Sequence, residues 1–280
     1  VNYFLVTNPL NLRNQLSRAF DDIANRDLDV GAASISGARV GNASFSLQPV
    51  FSRGRNGKDW TGNVTAVGVN RDGTLSSTTL WDARASLPAP GVRNILAVTT
   101  PGTSSAITAR SFVAGNLNFG MLGFNALTVN SVYGANYSLD DLVRYLRGDQ
   151  SREASQGGAS NTLRTRSSVL GDIVNSEPVI ASNRSNFGYG YYSDPMFSGY
   201  TGVGGYLETK LTRKTVAYVG ANDGMLHAFD ATTRPCANPL QTCAEVGAGR
   251  ELFAVVPNGV LSNMAELPKP DDKFTHKYFV

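Results

Sequence analysis

Arg147-Gly148-Asp149 sets a guanidinium and a carboxylate two residues apart around a glycine. On an exposed loop, such a tripeptide can offer its carboxylate to a metal-dependent receptor. The same residues also suit the end of a helix, with Gly148 at the left-handed position and Arg147 as a cation at the negative end of the helix dipole. The two readings predict different sensitive residues, and the helix-end reading is preferred. Cys236 and Cys243 are the only cysteines, with six residues between them including Asn238 and Pro239, and they read as a short disulfide-closed loop of an exported protein. Two unrelated reduced thiols are the alternative. A zinc site would need two more soft ligands, and His227 and His276 each stand alone in strand-like runs. Asn222, Asp223 and Asp230 lack the alternating acidic spacing of a calcium loop, and Asp223 and Asp72 read as turn residues. Neither histidine has a nucleophile in a recognisable turn context, so no catalytic set is assigned.

The elements that must position these residues are mostly strands. Val216 and Tyr218 lie in a β-branched and aromatic run, Asn222-Asp223-Gly224 supplies the positive-φ positions of a tight turn, and residues 225–230 alternate again, which predicts a β-hairpin. Four strand candidates, at residues 179–182, 215–220, 225–230 and 251–256, have the makings of one propeller blade. Between the first two lies a glycine- and aromatic-rich insertion, residues 183–213, whose 187–206 stretch is expected to pack over the sheet, with an adhesive surface for sugar or protein as the alternative. Upstream, residues 60–69 pair through Asn70-Arg71-Asp72-Gly73 with residues 74–81, and residues 93–100 form another strand. Ser138, with Asp141 three residues on, opens a helix that Gly148 closes. At the N-terminus, Asn8 and Pro9 start a further helix with Leu12, Leu16, Phe20 and Ile23 at helical spacing.

The chain divides into a strand and helix (1–26), a linker (27–41), a β-rich connector (42–148), a flexible loop (149–168) and the start of a propeller (169–280). Composition agrees with a mainly β fold: 29 glycines, 13 phenylalanines and 11 tyrosines against 17% charged residues. With 41% hydrophobic residues the chain can bury a core. Its net charge of +3 comes from scattered Lys and Arg, not from a basic stripe, which argues against nucleic acid. No apolar run approaches the roughly 20 residues of a membrane span.

Three strings carry a family resemblance: Leu170-Gly171-Asp172-Ile173-Val174-Asn175-Ser176-Glu177-Pro178-Val179, the hairpin with Gly220, Asn222, Asp223, Gly224, His227 and Asp230, and Phe253-Ala254-Val255-Val256-Pro257. Together they resemble the β-propeller region of the PilC/PilY family of type IV pilus tip adhesins. The resemblance implies that residues 1–26 end a von Willebrand factor A-like domain and that a propeller opens after residue 168. It implies adhesion, pilus assembly and twitching motility by binding without turnover, minor pilins as partners, and a place at the pilus tip or outer surface of a Gram-negative cell. Some such adhesins are associated with integrin binding through a tripeptide like Arg147-Gly148-Asp149. The resemblance places a calcium loop downstream of Val280, and no cofactor is expected within this chain. The competing expectation is a quinoprotein-type propeller dehydrogenase, whose blades share a Gly-x-Asp-Gly hairpin. Such blades repeat a docking tryptophan, whereas Trp60 and Trp81 both precede the propeller segment here and Phe253 takes the expected place.

Overall fold

The computed structural model describes residues 29–30, 34–35, 44–54, 59–70, 72–99, 107–238 and 241–279. The expected N-terminal strand and helix, residues 1–26, lie outside them. Of the expected linker, the described residues form two short strands, β1 (Asp29–Val30) and β2 (Ser34–Ile35), both paired with β3 (Phe45–Ser52).

The first sheet continues from β3 to β4 (Thr61–Val69) and β5 (Leu75–Asp82) in an antiparallel meander. Its β4–β5 turn forms as the sequence requires: Gly73 takes φ +86°, its N–H donates to Asn70 O at 2.9 Å, and Asp72 Oδ1 accepts from Thr74 N at 2.9 Å. Phe45, Leu47, Val64, Ala66 and Trp81 are buried on one side of this sheet.

A second sheet has six strands, in the spatial order Thr108–Ser111, Ile95–Thr99, Glu251–Val256, Met225–Asp230, Val216–Ala221 and Val179–Ala181. These are β6 (Ile95–Thr99), β7 (Thr108–Ser111), β8 (Val179–Ala181), β9 (Val216–Ala221), β10 (Met225–Asp230) and β13 (Glu251–Val256). The four strands expected to form one blade are indeed consecutive neighbours and antiparallel, and β6 then extends them by parallel pairing with β13. A small hairpin of β11 (Thr233–Pro235) and β12 (Thr242–Ala244) completes the set. The fold is therefore mainly β, and its sheets are open, with no closed ring among the described residues.

The inner face of the second sheet carries Ala217, Val219, Met225, Phe229 and Ala254, all buried. At one end it packs on the first sheet through Phe45, Leu47, Trp81, Leu170 and Ile173. At the other it packs on the Leu139–Leu146 helix through Leu142, Val143 and Leu146, together with Ile95, Phe112 and Met264. The helix starts with a reciprocal capping box, in which Ser138 Oγ accepts from Asp141 N and Ser138 N donates to Asp141 Oδ2. It ends with Gly148 N donating to Tyr145 O and Asp149 N to Arg144 O, the two backbone bonds of a Schellman motif.

The polar run 149–168, read as a flexible loop, contains a buried ion pair: Arg166 Nε and Glu153 Oε1 lie 2.7 Å apart, with the Arg166 guanidinium 3.7 Å from the centre of the Tyr145 ring. Charged residue types in the sequence suggested solvent, but pairing and stacking let these be buried. The aromatic insertion packs largely on itself, Tyr189 stacking on Phe197 at 5.0 Å, and leaves Tyr191 93% exposed. Its Phe187, Tyr206 and Lys210 line a groove together with Ile180, Val216 and Tyr218 of the sheet.

Candidate functional site

The β9–β10 hairpin turns at Asn222-Asp223-Gly224, where Gly224 adopts φ +85° and donates to Ala221 O at 3.0 Å. Strand alternation from that turn directs His227 to the inner face, where it is fully buried. Its Nε2 lies 3.1 Å from both carboxylate oxygens of Asp223, and its Nδ1 lies 2.8 Å from Glu251 Oε1. Glu251 in turn takes a two-pronged contact from Arg93, with Nε–Oε2 and Nη2–Oε1 both at 2.7 Å.

Arg93 also donates through Nη1 to Arg147 O at 2.8 Å, which ties the cluster to the helix end. The Arg147 guanidinium is buried beside it and donates to Phe112 O at 3.0 Å, Pro90 O at 2.9 Å and Arg93 O at 2.7 Å. Burial, and next the charge of Arg93, lower its pKa.

Burial opposes charging of His227, but Asp223 first and Glu251 next outweigh it, raising its pKa to about 9. Burial would raise the Glu251 carboxyl, yet hydrogen bonds from Arg93 and His227 hold it down at about 2. Asp223 is lowered likewise, with His227 outweighing burial. The cluster is thus an alternating line of charges, Asp223⁻, His227⁺, Glu251⁻ and Arg93⁺. An imidazole already protonated at neutral pH cannot take a proton from a nucleophile. What this arrangement can do is clamp β10, β13, the turn before β6 and the helix end into one unit.

A second seam joins two of the signature strings through their backbones. Gly62 N donates to Leu170 O at 3.0 Å and Asn222 N to Asp172 O at 2.9 Å. A Cβ on Gly62 would lie 2.2 Å from Gly171 O, and one on Gly171 would lie 2.3 Å from Asp223 N, so three chain segments stack at distances only glycine allows. Asn222 Nδ2 donates to Asp172 Oδ2 at 2.7 Å, and His276 Nε2 meets Asp172 Oδ1 at 2.9 Å while its ring stacks on Trp60 at 3.9 Å.

The residues singled out from sequence therefore fall in separate places. Asp223 and His227 meet at the charge cluster, whereas Asn222 turns its side chain to Asp172 in the glycine seam and Gly224 faces Met264 and Val260. Gly220 N donates to Ser176 Oγ at 3.0 Å, and Asp230 pairs with Lys214 and accepts from Thr232 N at 3.0 Å. Arg147 touches the cluster through its carbonyl, while Gly148, at φ +109°, faces Val169. Asp149 pairs with Arg144 at 2.7 Å across a partly exposed surface. Cys236 and Cys243 are joined in a disulfide within the β11–β12 hairpin, away from the cluster. The turn reading of Asp223 holds, since its Oδ1 accepts from Met225 N at 3.1 Å, but it is only half of what the residue does.

The sequence reading places Arg93 and Glu251 at strand starts and Asp172 in a signature string, and misses the contacts all three make. Glu251 heads a strand whose simple alternation from Ala254 points it outward. The pairing steps from Ala228↔Phe253 to Phe229↔Glu251, so Leu252 is an extra residue and the bulge turns Glu251 inward. Among the described residues no group of three or more His, Cys, Asp or Glu is arranged to hold a metal ion, and no helix is long and apolar enough to cross a membrane.

No family model matches the chain, and no solved structure matches it. Among curated proteins it is 34% identical over 303 aligned residues, and 30% over 280, to two proteins of Xylella fastidiosa, each named Type IV pilus biogenesis factor PilY1 homolog. Both alignments take in 100% of this chain and 19% of the relative. The Type IV pilus biogenesis factor PilY1 of Pseudomonas aeruginosa strain PAK is 29% identical over 91% of this chain and 20% of its own length. The chain thus spans about one-fifth of the relatives it matches. With the similarity to two of these relatives running over the whole of this chain, it belongs to the PilY1 family.

Proposed function

We propose that this chain is part of a type IV pilus biogenesis factor that acts at the cell surface by binding, without turnover. The observation that carries the reading is the whole-length similarity to proteins of that name. The charge cluster supports it as well, because a histidine locked between two carboxylates suits mechanical cohesion better than proton transfer. The dehydrogenase alternative gains nothing: Trp81 is buried in the core and Trp60 is stacked on His276, so neither is placed as a blade-docking repeat.

The second sheet is proposed to be the opening blade of a propeller. Its outer face, opposite the cluster, carries Val179, Tyr218, Leu226, Phe253, Val255 and Leu96 in register. All six are apolar or aromatic and none is fully buried, as expected of a blade that packs on a neighbouring sheet. Adhesion, twitching motility, contact with minor pilins and a location at the pilus tip extend the same proposal. Calcium binding in the downstream propeller belongs with it. An integrin contact through Arg147-Gly148-Asp149 would have to rest on Asp149 alone, given the commitments of Arg147.

The test is an in-frame deletion of the coding gene in its own bacterium, complemented by the full-length protein. Surface pilin recovered by shearing, and twitching zone diameter, should both fall in the deletion and return on complementation. Unchanged piliation and motility would refute the role.

A further inference from the structure

Beside the glycine seam lies a cavity of about 20 Å³, with Arg164, Ser168, His276, Asp172, Asp223 and Lys277 on its wall. Three of these residues carry a buried polar atom with no protein partner among the described residues: Arg164 Nη1, Ser168 Oγ and His276 Nδ1. Arg164 is only 5% exposed and Ser168 7%. Buried polar atoms are nearly always satisfied, so three orphans around one small cavity call for a shared partner.

The charges decide what kind of partner. Asp172 is taken up by Asn222 and His276, and Asp223 by His227. Arg166, also on the wall, is neutralised by Glu153. Arg164 donates from Nε to Leu267 O at 3.0 Å and lies 4.1 Å from the centre of the Phe274 ring, but no carboxylate among the described residues pairs with it. A buried guanidinium set against an aromatic ring and a backbone carbonyl lacks its counter-ion.

We propose that this cavity is a binding site for a small monatomic anion, chloride in its natural setting. Arg164 Nη1 and Ser168 Oγ are its donors, and His276 Nδ1 is the third orphaned atom among the residues of the same wall. The space is about that of one water-sized sphere, which admits a halide and excludes sulfate or a carboxylate. The ion would join residues 164–168 to the segment around His276 through a charge that neither supplies.

Thermal unfolding of the full chain in chloride, bromide, gluconate and sulfate at equal ionic strength tests the site, together with bromide anomalous diffraction from crystals of the unaltered chain. Chloride and bromide should raise the unfolding temperature by several degrees over the other two, saturably. Ser168→Ala should weaken halide affinity by about tenfold, the worth of one hydrogen bond to a charged group. Arg164→Gln should abolish the difference between salts. An anomalous peak should appear within hydrogen-bonding reach of Arg164 Nη1 and Ser168 Oγ. Equal stability in all four salts, halide stabilisation that survives both substitutions, or density at the site with no anomalous signal would each overturn the proposal and leave a buried water in its place.

Discussion

His227 Nδ1 and Glu251 Oε1 meet at 2.8 Å across β10 and β13 only because β13 carries one more residue than its partner between them. Without the extra residue the carboxylate would point to the outer face, leaving Arg93 and His227 buried without it. The cluster is therefore a consequence of register as much as of residue type.

Glu251→Gln should be among the most damaging single changes in the chain. The Arg93–Glu251 pair is 1% exposed on both sides, and removing one charge leaves an uncompensated guanidinium beside an imidazolium. Breaking such a pair costs about 3–5 kcal/mol, which urea denaturation would register as a lower midpoint with an unchanged slope. A loss below about 1 kcal/mol would mean that water reaches the cluster.

Stability should depend on pH with a sign set by His227. Its pKa rises from 6.5 to about 9 on folding, so its contribution is complete below pH 6.5 and is lost as pH rises through 9. Glu251 falls from 4.5 to about 2, so its contribution is complete above pH 4.5 and is lost as pH falls through 2. The chain should be most stable between these limits, and His227 should supply an alkaline loss on the order of 3 kcal/mol. The imidazole resonances of His227 should still report the charged form at pH 8. A midpoint near 6.5 would mean that the carboxylates do not hold it.

The helix end separates the two readings of Arg147-Gly148-Asp149. A Cβ on Gly148 would lie 2.6 Å from Val169 Cγ1 at a backbone φ of +109°, so Gly148→Ala should cost about 2 kcal/mol from strain and crowding together. Asp149→Glu disturbs a partly exposed pair with Arg144 and one exposed bond from Ser151 N to Asp149 Oδ1, and should cost about 1 kcal/mol. Integrin binding by the full-length protein should be unaffected by Asp149→Glu if the segment serves only as a helix terminus. Loss of binding with unchanged melting would restore the receptor reading.

Local rules made much of this architecture legible. Asp72-Gly73, Asn222-Asp223-Gly224, Ser138 with Asp141, and Gly148 each dictate the conformation of a few neighbouring residues, and each turn or cap forms as they require. The four strands at residues 179–256 were legible for the same reason. The parallel pairing of β6 with β13 was not, since it joins segments more than 150 residues apart with no turn to announce it. Arg93, Glu153 and Arg166 were passed over because their types suggest a solvated surface, and only tertiary pairing makes their burial tolerable. Asp172 was read as part of a signature string, but its contacts with Asn222 and His276 need three distant segments brought together.

The disulfide should matter locally. Cys236 and Cys243 are seven apart in sequence and close a partly exposed hairpin remote from the charge cluster. On the chain-entropy model a loop this short is worth about 2–3 kcal/mol, so a Cys236→Ser, Cys243→Ser double variant should lose no more than that. Peptide mapping without reductant should recover the two cysteines linked to one another, and free alkylation of both would contradict the bond.

Glycine substitutions offer the sharpest check on the seam between the signature strings. A methyl group on Gly171 would meet Asp223 N at 2.3 Å and Asn222 C at 3.0 Å, both backbone atoms that no side-chain rotation can clear. Gly171→Ala must therefore push the 170–172 segment off the hairpin turn, stretching the Asn222 N to Asp172 O bond that sits beside it. Overpacking against backbone costs about 1–3 kcal/mol before any lost hydrogen bond is counted. Gly259 is the matched control, because it is exposed in the short Asn258–Leu261 helix with nothing within 4 Å of its added Cβ. Gly259→Ala should be neutral or stabilising by up to about 1 kcal/mol. If hydrogen exchange at Asn222 rises in Gly171→Ala and stays unchanged in Gly259→Ala, the close backbone approach is what holds the two strings together. Equal exchange in both variants would show that the seam tolerates a side chain and that the glycine is dispensable.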